Sequence, residues 1–186
     1  MQQPPAPRRR MGSARSLVLS MVVVLAVVVV WVALVPRSQG RPPRSVDALA
    51  TAHQVHEQQG WDLLVPAQLP EGWRATSVRF APGPDSLPTF HAGYLSGDEE
   101  SYVGLEETTD ASAHWVEVKA GAHRAGGRVT VEGRAWHKRR ATDEHGVTTR
   151  SLVLPGGRGL TVVVTGNGRY ADLARFARSL QPVTAD

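Results

Sequence analysis

Nineteen consecutive residues, Leu17 to Val35, read "LVLSMVVVLAVVVVWVALV" and contain one polar side chain, Ser20. A helix that is apolar all round fits a membrane span. At about 1.5 Å per residue this run spans roughly 28 Å, close to the thickness of a bilayer core. Trp31 stands near one end, where aromatic rings favour the lipid–water interface. A cleaved export signal would carry an apolar stretch of about 7–15 residues and a small-residue cleavage site. This stretch is longer, and "VALVPRSQG" offers no such site. The expectation is a retained transmembrane helix over residues 16–35, in contact with the lipid bilayer through residues 17–35. "RRRMGSARS" lacks the apolar residue that would follow a twin-arginine export pair. The run has no GxxxG pair to drive helix dimerisation.

Charge divides at the same place. The chain has a formal charge of +4 and a sequence pI of about 10.1. Residues 1–46 hold seven arginines and no acid, leaving 14 basic groups against all 17 acids in the remainder. The high pI therefore belongs to the leader, and no nucleic-acid partner is expected. Four arginines precede the span and three follow it, a small bias toward an inside N-terminus. Long domains translocate largely regardless of charge. The expected localisation is a single-pass cell-membrane protein with a cytoplasmic N-terminus and an extracytoplasmic C-terminal domain. The absence of cysteine removes disulfides, thiolate chemistry and an acylated lipoprotein anchor.

Residues 1–15 are rich in Pro, Gln and Arg and read as a disordered cytoplasmic tail. Residues 36–46, "PRSQGRPPRSV", read as a Pro/Arg linker. Residues 47–182 form the expected extracytoplasmic domain. It opens on an amphipathic pattern, "VDALATAHQVHEQQ", with Val46, Leu49, Ala52 or His53, and His56 at helical spacing. Short strand signals follow: "DLLV", "RATSVRF", "TFHAGYL", "SYVGLEE", "RVTVEG", "RAWHKRR", "TTRSLVL" and "LTVVVT". "DASAHWVEVK" predicts one or two helical turns. A final helix carries Tyr170, Leu173, Phe176 or Ala177, and Leu180 on its buried stripe, with Asn167 or Gly168 as its cap. The fold class is α+β: an antiparallel sheet of about 6–7 strands, with the N- and C-terminal helices packed on one face, preceded by one transmembrane helix. Trp61, Trp73, Trp115, Trp136, Phe80 and Phe176 are its expected large core members.

Candidate sites are few. Gly166, Asn167, Gly168 and Ala171 fit G-x-G-x-x-A, yet only one helix follows and no acid stands where a ribose would be held. The pattern reads as a strand-to-helix turn, and no cofactor is expected. His53, His56 and Glu57 share a helical face, but zinc needs three or four ligands in closed geometry and no metal is expected. Six acids between Asp98 and Asp110 read as a solvated loop and strand edge. Serine-nucleophile motifs and a Walker loop are absent, so no catalytic residue is assigned and the chain leans away from enzymes. "RAWHKRR" makes a basic strand in which Lys138 and Arg140 share a side with Trp136, while His137 and Arg139 oppose it. Lys138, Arg139 and Arg140 are the candidate interaction surface.

Several pieces carry a resemblance: the L-P-E-G-W loop at Leu69–Trp73, the G-R-A-W strand at Gly133–Trp136, and the V-T-G turn before the last helix. Over roughly residues 16–182 the chain resembles an actinobacterial family of single-pass membrane proteins, domain of unknown function 4245. The resemblance implies a membrane anchor and an extracytoplasmic domain, with no catalytic residue to carry over. The order of the final hairpin, strand and helix is also similar to bacterial extracytoplasmic sensor domains of the anti-sigma regulator type. The expected function is a non-enzymatic binding module of the cell envelope, with an envelope protein as partner. The alternatives are a small-ligand or sensor domain with a pocket between sheet and helices, or a weakly signalled enzyme. In the pocket reading the tryptophans line the site, with a carboxylate such as Glu71 nearby.

Overall fold

The computed structural model describes residues 14–34, 45–97, 100–121, 124–157 and 159–184. Most of the expected tail and linker lies outside these. The chain divides into two compact units, Met1–Pro42 and Pro43–Asp186.

The first unit contains helix α1, Ala14–Leu34. Its described side chains, at 17–28, 30 and 31, are all exposed. Among the described residues, no helix is long and apolar enough to cross a membrane. The expected span over 16–35 therefore rests on its sequence.

The second unit is α+β. Helix α2 (Ala48–Gln59) precedes strands β1 (Leu64–Pro66), β2 (Arg74–Pro82), β3 (Pro88–Leu95) and β4 (Tyr102–Thr109). Helix α3 (Ala113–Ala120) comes next, then β5 (Arg124–Val131), β6 (Arg134–Thr142), β7 (Thr148–Leu154) and β8 (Leu160–Gly166). Helix α4 (Tyr170–Arg178) and β9 (Leu180–Pro182) end the fold. Seven strands form one antiparallel sheet in the order β2-β3-β4-β8-β7-β6-β5. Strands β1 and β9 pair separately, Val65 opposite Gln181. "DLLV" thus belongs to a small clasp and not to the main sheet.

Alternation gives the sheet an inner and an outer face. Phe90, Tyr94, Leu105, Leu152, Val162 and Val164 point inward, and Trp136 joins them. Helices α2 and α4 cover this face together, as the end helices were expected to do, through Ala52, Val55, Leu173 and Phe176. Two details differ from the sequence pattern. The buried stripe of α2 is Ala48, Ala52 and Val55, whereas Leu49 is exposed. Helix α4 stops at Arg178, so Leu180 is buried from β9. Asn167 does not cap α4. Its side chain links Tyr102 N and the Glu100 carbonyl, and Arg169 takes the cap position, its N–H donating to Asp172 Oδ2.

The outer face carries α3, which seats Trp115 and Ala120 on Val153 and Val163. Ser112 caps this helix by accepting from Trp115 N at 2.8 Å. The indole of Trp115 donates to Thr89 Oγ1 at 3.0 Å. Eight residues make a helix only about 12 Å long. It reaches β3 at Thr89, β4 at Glu106, and β7 and β8 at Val153 and Val163, and leaves the outward side chains of β5 and β6 half-buried or exposed. Of the expected large core members, Trp115, Trp136 and Phe176 are fully buried. Trp61, Trp73 and Phe80 are only partly buried at the margin, where Trp61 meets Phe80 edge-on with centroids 5.5 Å apart.

Candidate functional site

Strand β4 sends neighbouring carboxylates to opposite faces, and neither is the solvated edge group that the acidic segment suggested. Glu107 points inward and is fully buried. Its Oε2 accepts from Leu64 N at 2.9 Å, which seats β1 on the main sheet. Its Oε1 has no hydrogen-bond partner. Burial pushes the Glu107 pKa well above the usual carboxylate range, against the opposing pull of the Leu64 N–H. The Tyr94 hydroxyl is also buried and without a partner. Burial, then the Glu107 charge, raises its pKa and keeps it a neutral donor.

Glu106 points outward. His91 Nδ1 lies 2.8 Å from its Oε1, and Lys119 Nζ of α3 lies 2.9 Å from its Oε2. His91 Nε2 stands 3.3 Å from Ser77 Oγ. Desolvation pushes the Glu106 pKa up, but hydrogen bonds from His91 and Lys119 outweigh it and hold the carboxyl below its ordinary value. The Ser77–His91–Glu106 order has the connectivity of a hydrolytic relay. It differs in context. Lys119 already neutralises the acid, and neither concavity described below includes Ser77 or His91. The chain ties β2, β3 and β4 to α3 and fixes where that short helix lies.

Two concavities flank these groups. On the outer face, a cavity of about 480 Å³ runs between α3 and the β7–β8 turn, lined among others by Ser112, Val116, His137, Arg139, Val153 and Pro155. On the inner side, a cavity of about 330 Å³ lies where the chain enters α2, bordered by Val46, Leu49, Leu69, Trp73 and Tyr94. The L-P-E-G-W turn builds one wall of it. Pro70 O accepts from Trp73 N at 2.9 Å, and Gly72 has φ +77, which glycine adopts without strain. Glu71 of that turn is exposed and outside the lining.

The expected interaction surface is divided by the strand. Lys138 lies on the inner side, 5.3 Å from the centre of the Tyr170 ring of α4. Arg140 is exposed at the strand end, opposite Arg150. Arg139 is on the outer face and lines the larger cavity with His137. Arg128, in register with His137, adds an exposed cation to that face. His53 and His56 are half-buried on α2, where His56 Nδ1 meets Trp61 O at 3.0 Å. Among the described residues no group of three or more acidic, histidine or cysteine side chains is placed to hold a metal. Sequence reasoning missed Glu107, Glu106 and Tyr94. Their inward or outward phase was readable from β4 and β3, but the acid-rich surroundings masked it.

The chain belongs to the family described as "Protein of unknown function (DUF4245)", which matches residues 9–180. No curated protein matches it. Two solved structures show similarity. One is the complex of Pseudomonas aeruginosa MucA/MucB, 18% identical over 67% of this chain and 36% of that chain, with TM-score 0.36. The other is MucB in complex with MucA(peri), 18% identical over 66% of this chain and 38% of that chain, also with TM-score 0.36. The chain spans little more than a third of the length of the chains it matches.

Proposed function

We propose that this family member is a non-enzymatic interaction module of the cell envelope, held at the cell membrane by α1. In this reading residues 1–15 stay in the cytoplasm, 36–46 form a stalk, and 47–182 work outside the cell. The anchor is supported by the apolar run at Leu17–Val35 and by the exposure of every described side chain along α1. The observation that carries the interaction reading is the less covered β5–β6 end of the outer face beside α3. There Arg139, His137 and Arg128 stand on adjacent strands next to a concavity of about 480 Å³. Arg139 and Arg128 beside a groove with apolar walls at Val116 and Val153, and with Glu117 on its α3 side, suit a protein segment that carries an acid toward β5–β6 and one or two apolar side chains.

Crosslinking in intact cells expressing the full-length chain tests this. The expected result is a partner captured by the wild type and lost in Arg139→Glu, with Arg140→Glu retained as a control. Equal capture by both variants rules out the groove. Topology is testable separately, because the chain has no cysteine. A single Thr184→Cys should react with an impermeant maleimide on whole cells, and Gln3→Cys should not. The reverse pattern refutes the orientation.

A further inference from the structure

We infer that the basic surface formed by α4 and the neighbouring corner of the main sheet docks on anionic phospholipid headgroups of the membrane. The inference rests on the anchor reading above and is independent of the outer-face groove. Helix α4 turns Leu173, Ala174, Phe176 and Ala177 to the core, and its exposed residues are Ala171, Arg175 and Arg178. One apolar face opposite a basic one is the pattern of a helix that lies on a membrane surface. The sheet continues that charge. Alternation puts Lys138, Arg140 and Arg150 on the inner face, the side that α4 covers. Lys138 lies against the Tyr170 ring of α4, and Arg150 Nη1 stands 3.4 Å from Gly168 O just before the helix. Arg140 is exposed beside Arg150.

The helix dipole accounts for Arg175 and Arg178 in the last turns of α4. It does not account for Arg140 and Arg150, which stand directly opposite each other on neighbouring strands, where like charges weaken pairing. None of Lys138, Arg140, Arg150, Arg175 and Arg178 forms an ion pair with a described carboxylate. The one acid of α4, Asp172, is matched by Arg169, whose Nε lies 3.4 Å from its Oδ2. Asp143 and Glu144 stand at the tip of the β6–β7 turn, so the docking face is the side that bears α4 and not that tip. Neither concavity described above includes Arg140, Arg150, Arg175 or Arg178. Cations spread over a helix and two strands, outside those concavities, suit a surface of headgroups, and guanidinium forks match phosphate oxygens. The surface is also within reach. One register row, Ala75–Tyr94–Val103–Gly166–Arg150–Arg140, crosses six strands, and Val46 N donates to Ala75 O at its far end. At about 4.8 Å per strand, Arg140 is roughly 24 Å from the point where the chain enters the domain. Residues 36–45 extend at most about 40 Å, and so short a tether keeps the face at a high effective concentration over the bilayer.

The test uses the full-length chain in lipid nanodiscs of phosphatidylcholine, alone or mixed with phosphatidylglycerol. The chain has no cysteine, so His145→Cys, exposed at the turn beside this face, carries a single donor dye. A headgroup-labelled lipid is the acceptor. Energy transfer should be higher in the anionic discs and should fall to the zwitterionic level in about 1 M salt, where the Debye length is about 3 Å. Arg140 and Arg175 are exposed, so exchanging them leaves the core intact. Arg140→Gln with Arg175→Gln should lower the ratio of docked to undocked protein roughly 25-fold, about fivefold for each cation. Arg140→Lys with Arg175→Lys keeps the charge and should keep docking. Arg79→Gln, exposed on β2, should leave it unchanged. A chain absent from discs of both compositions refutes the anchor, and the docking with it. A chain present in both with equal transfer overturns the docking alone and leaves the face to an acidic protein. Transfer raised by phosphatidylglycerol but unchanged in the Gln variant overturns the assigned face.

Discussion

Replacing Glu107 by Gln should abolish a pH dependence that runs opposite to the one most carboxylates give a protein. In the folded chain this carboxyl has no solvent and one donor, Leu64 N, so its pKa is raised from the ordinary 4.5. The folded state therefore holds a proton that the unfolded state releases. Stability is fully present below about pH 4.5 and is lost as pH rises toward the folded pKa. Within that window one proton separates the two states, and the loss is about 1.4 kcal/mol per pH unit. Glu107→Gln keeps an oxygen for Leu64 N and cannot ionise. The assay is urea unfolding of wild type and Glu107→Gln, followed by tryptophan fluorescence at half-unit steps from pH 5 to 7. Other titrating groups are common to both proteins and cancel in the difference. The variant should gain on the wild type from pH 5 upward until the folded pKa is passed. Parallel profiles would refute the buried, protonated assignment.

Further consequences follow for the neighbouring elements. Glu106 has the opposite sign: its pKa is lowered, so its contribution is lost as pH falls through the folded value, below 4.5. Lys119→Met should shift that acid limb upward in a pH–stability profile and cost about 2 kcal/mol, less than a fully buried pair because both groups keep 11–15% exposure. Gly97→Ala should lower the unfolding midpoint by an amount equivalent to about 1–3 kcal/mol, because a Cβ there would stand 2.9 Å from Gly72 O and push the L-P-E-G-W turn aside. Trp115→Phe should cost about 2 kcal/mol in urea unfolding, through lost volume in the outer core and the lost bond to Thr89 Oγ1.

Strand order along the chain, the end helices on one face and the opposed phases of Lys138 and Arg139 were legible, because alternation and 3.6-residue periodicity are local signals. What stayed hidden depends on partners distant in sequence. Glu107 reads as solvent-facing because carboxylates are seldom buried, and the donor that admits it, Leu64 N, is 43 positions away. The α2 stripe is misread by one residue because alanines, not Leu49, fit the close approach to the sheet. Strand β9 is three residues with a proline, too short to show a period, and exists because β1 offers it an edge. Neither concavity has a motif, since each is assembled from turns and strand ends of separate segments.

The β1–β9 clasp also constrains when the domain can be finished. Val183 N donates to Leu63 O and Ala67 N to Ser179 O, so the first strand of the domain is fastened by its last residues. Until residues 180–183 have been added, after every strand of the seven-stranded sheet, β1 lacks its pairing strand. Leu64 then has no strand to hold it over Glu107, and that acid waits uncovered. Closure is a late, long-range step of the kind that slows folding. Deleting residues 180–183 would therefore act on the opposite end of the domain, as a defect of β1 seating and of the wall that Val65 gives to the inner cavity.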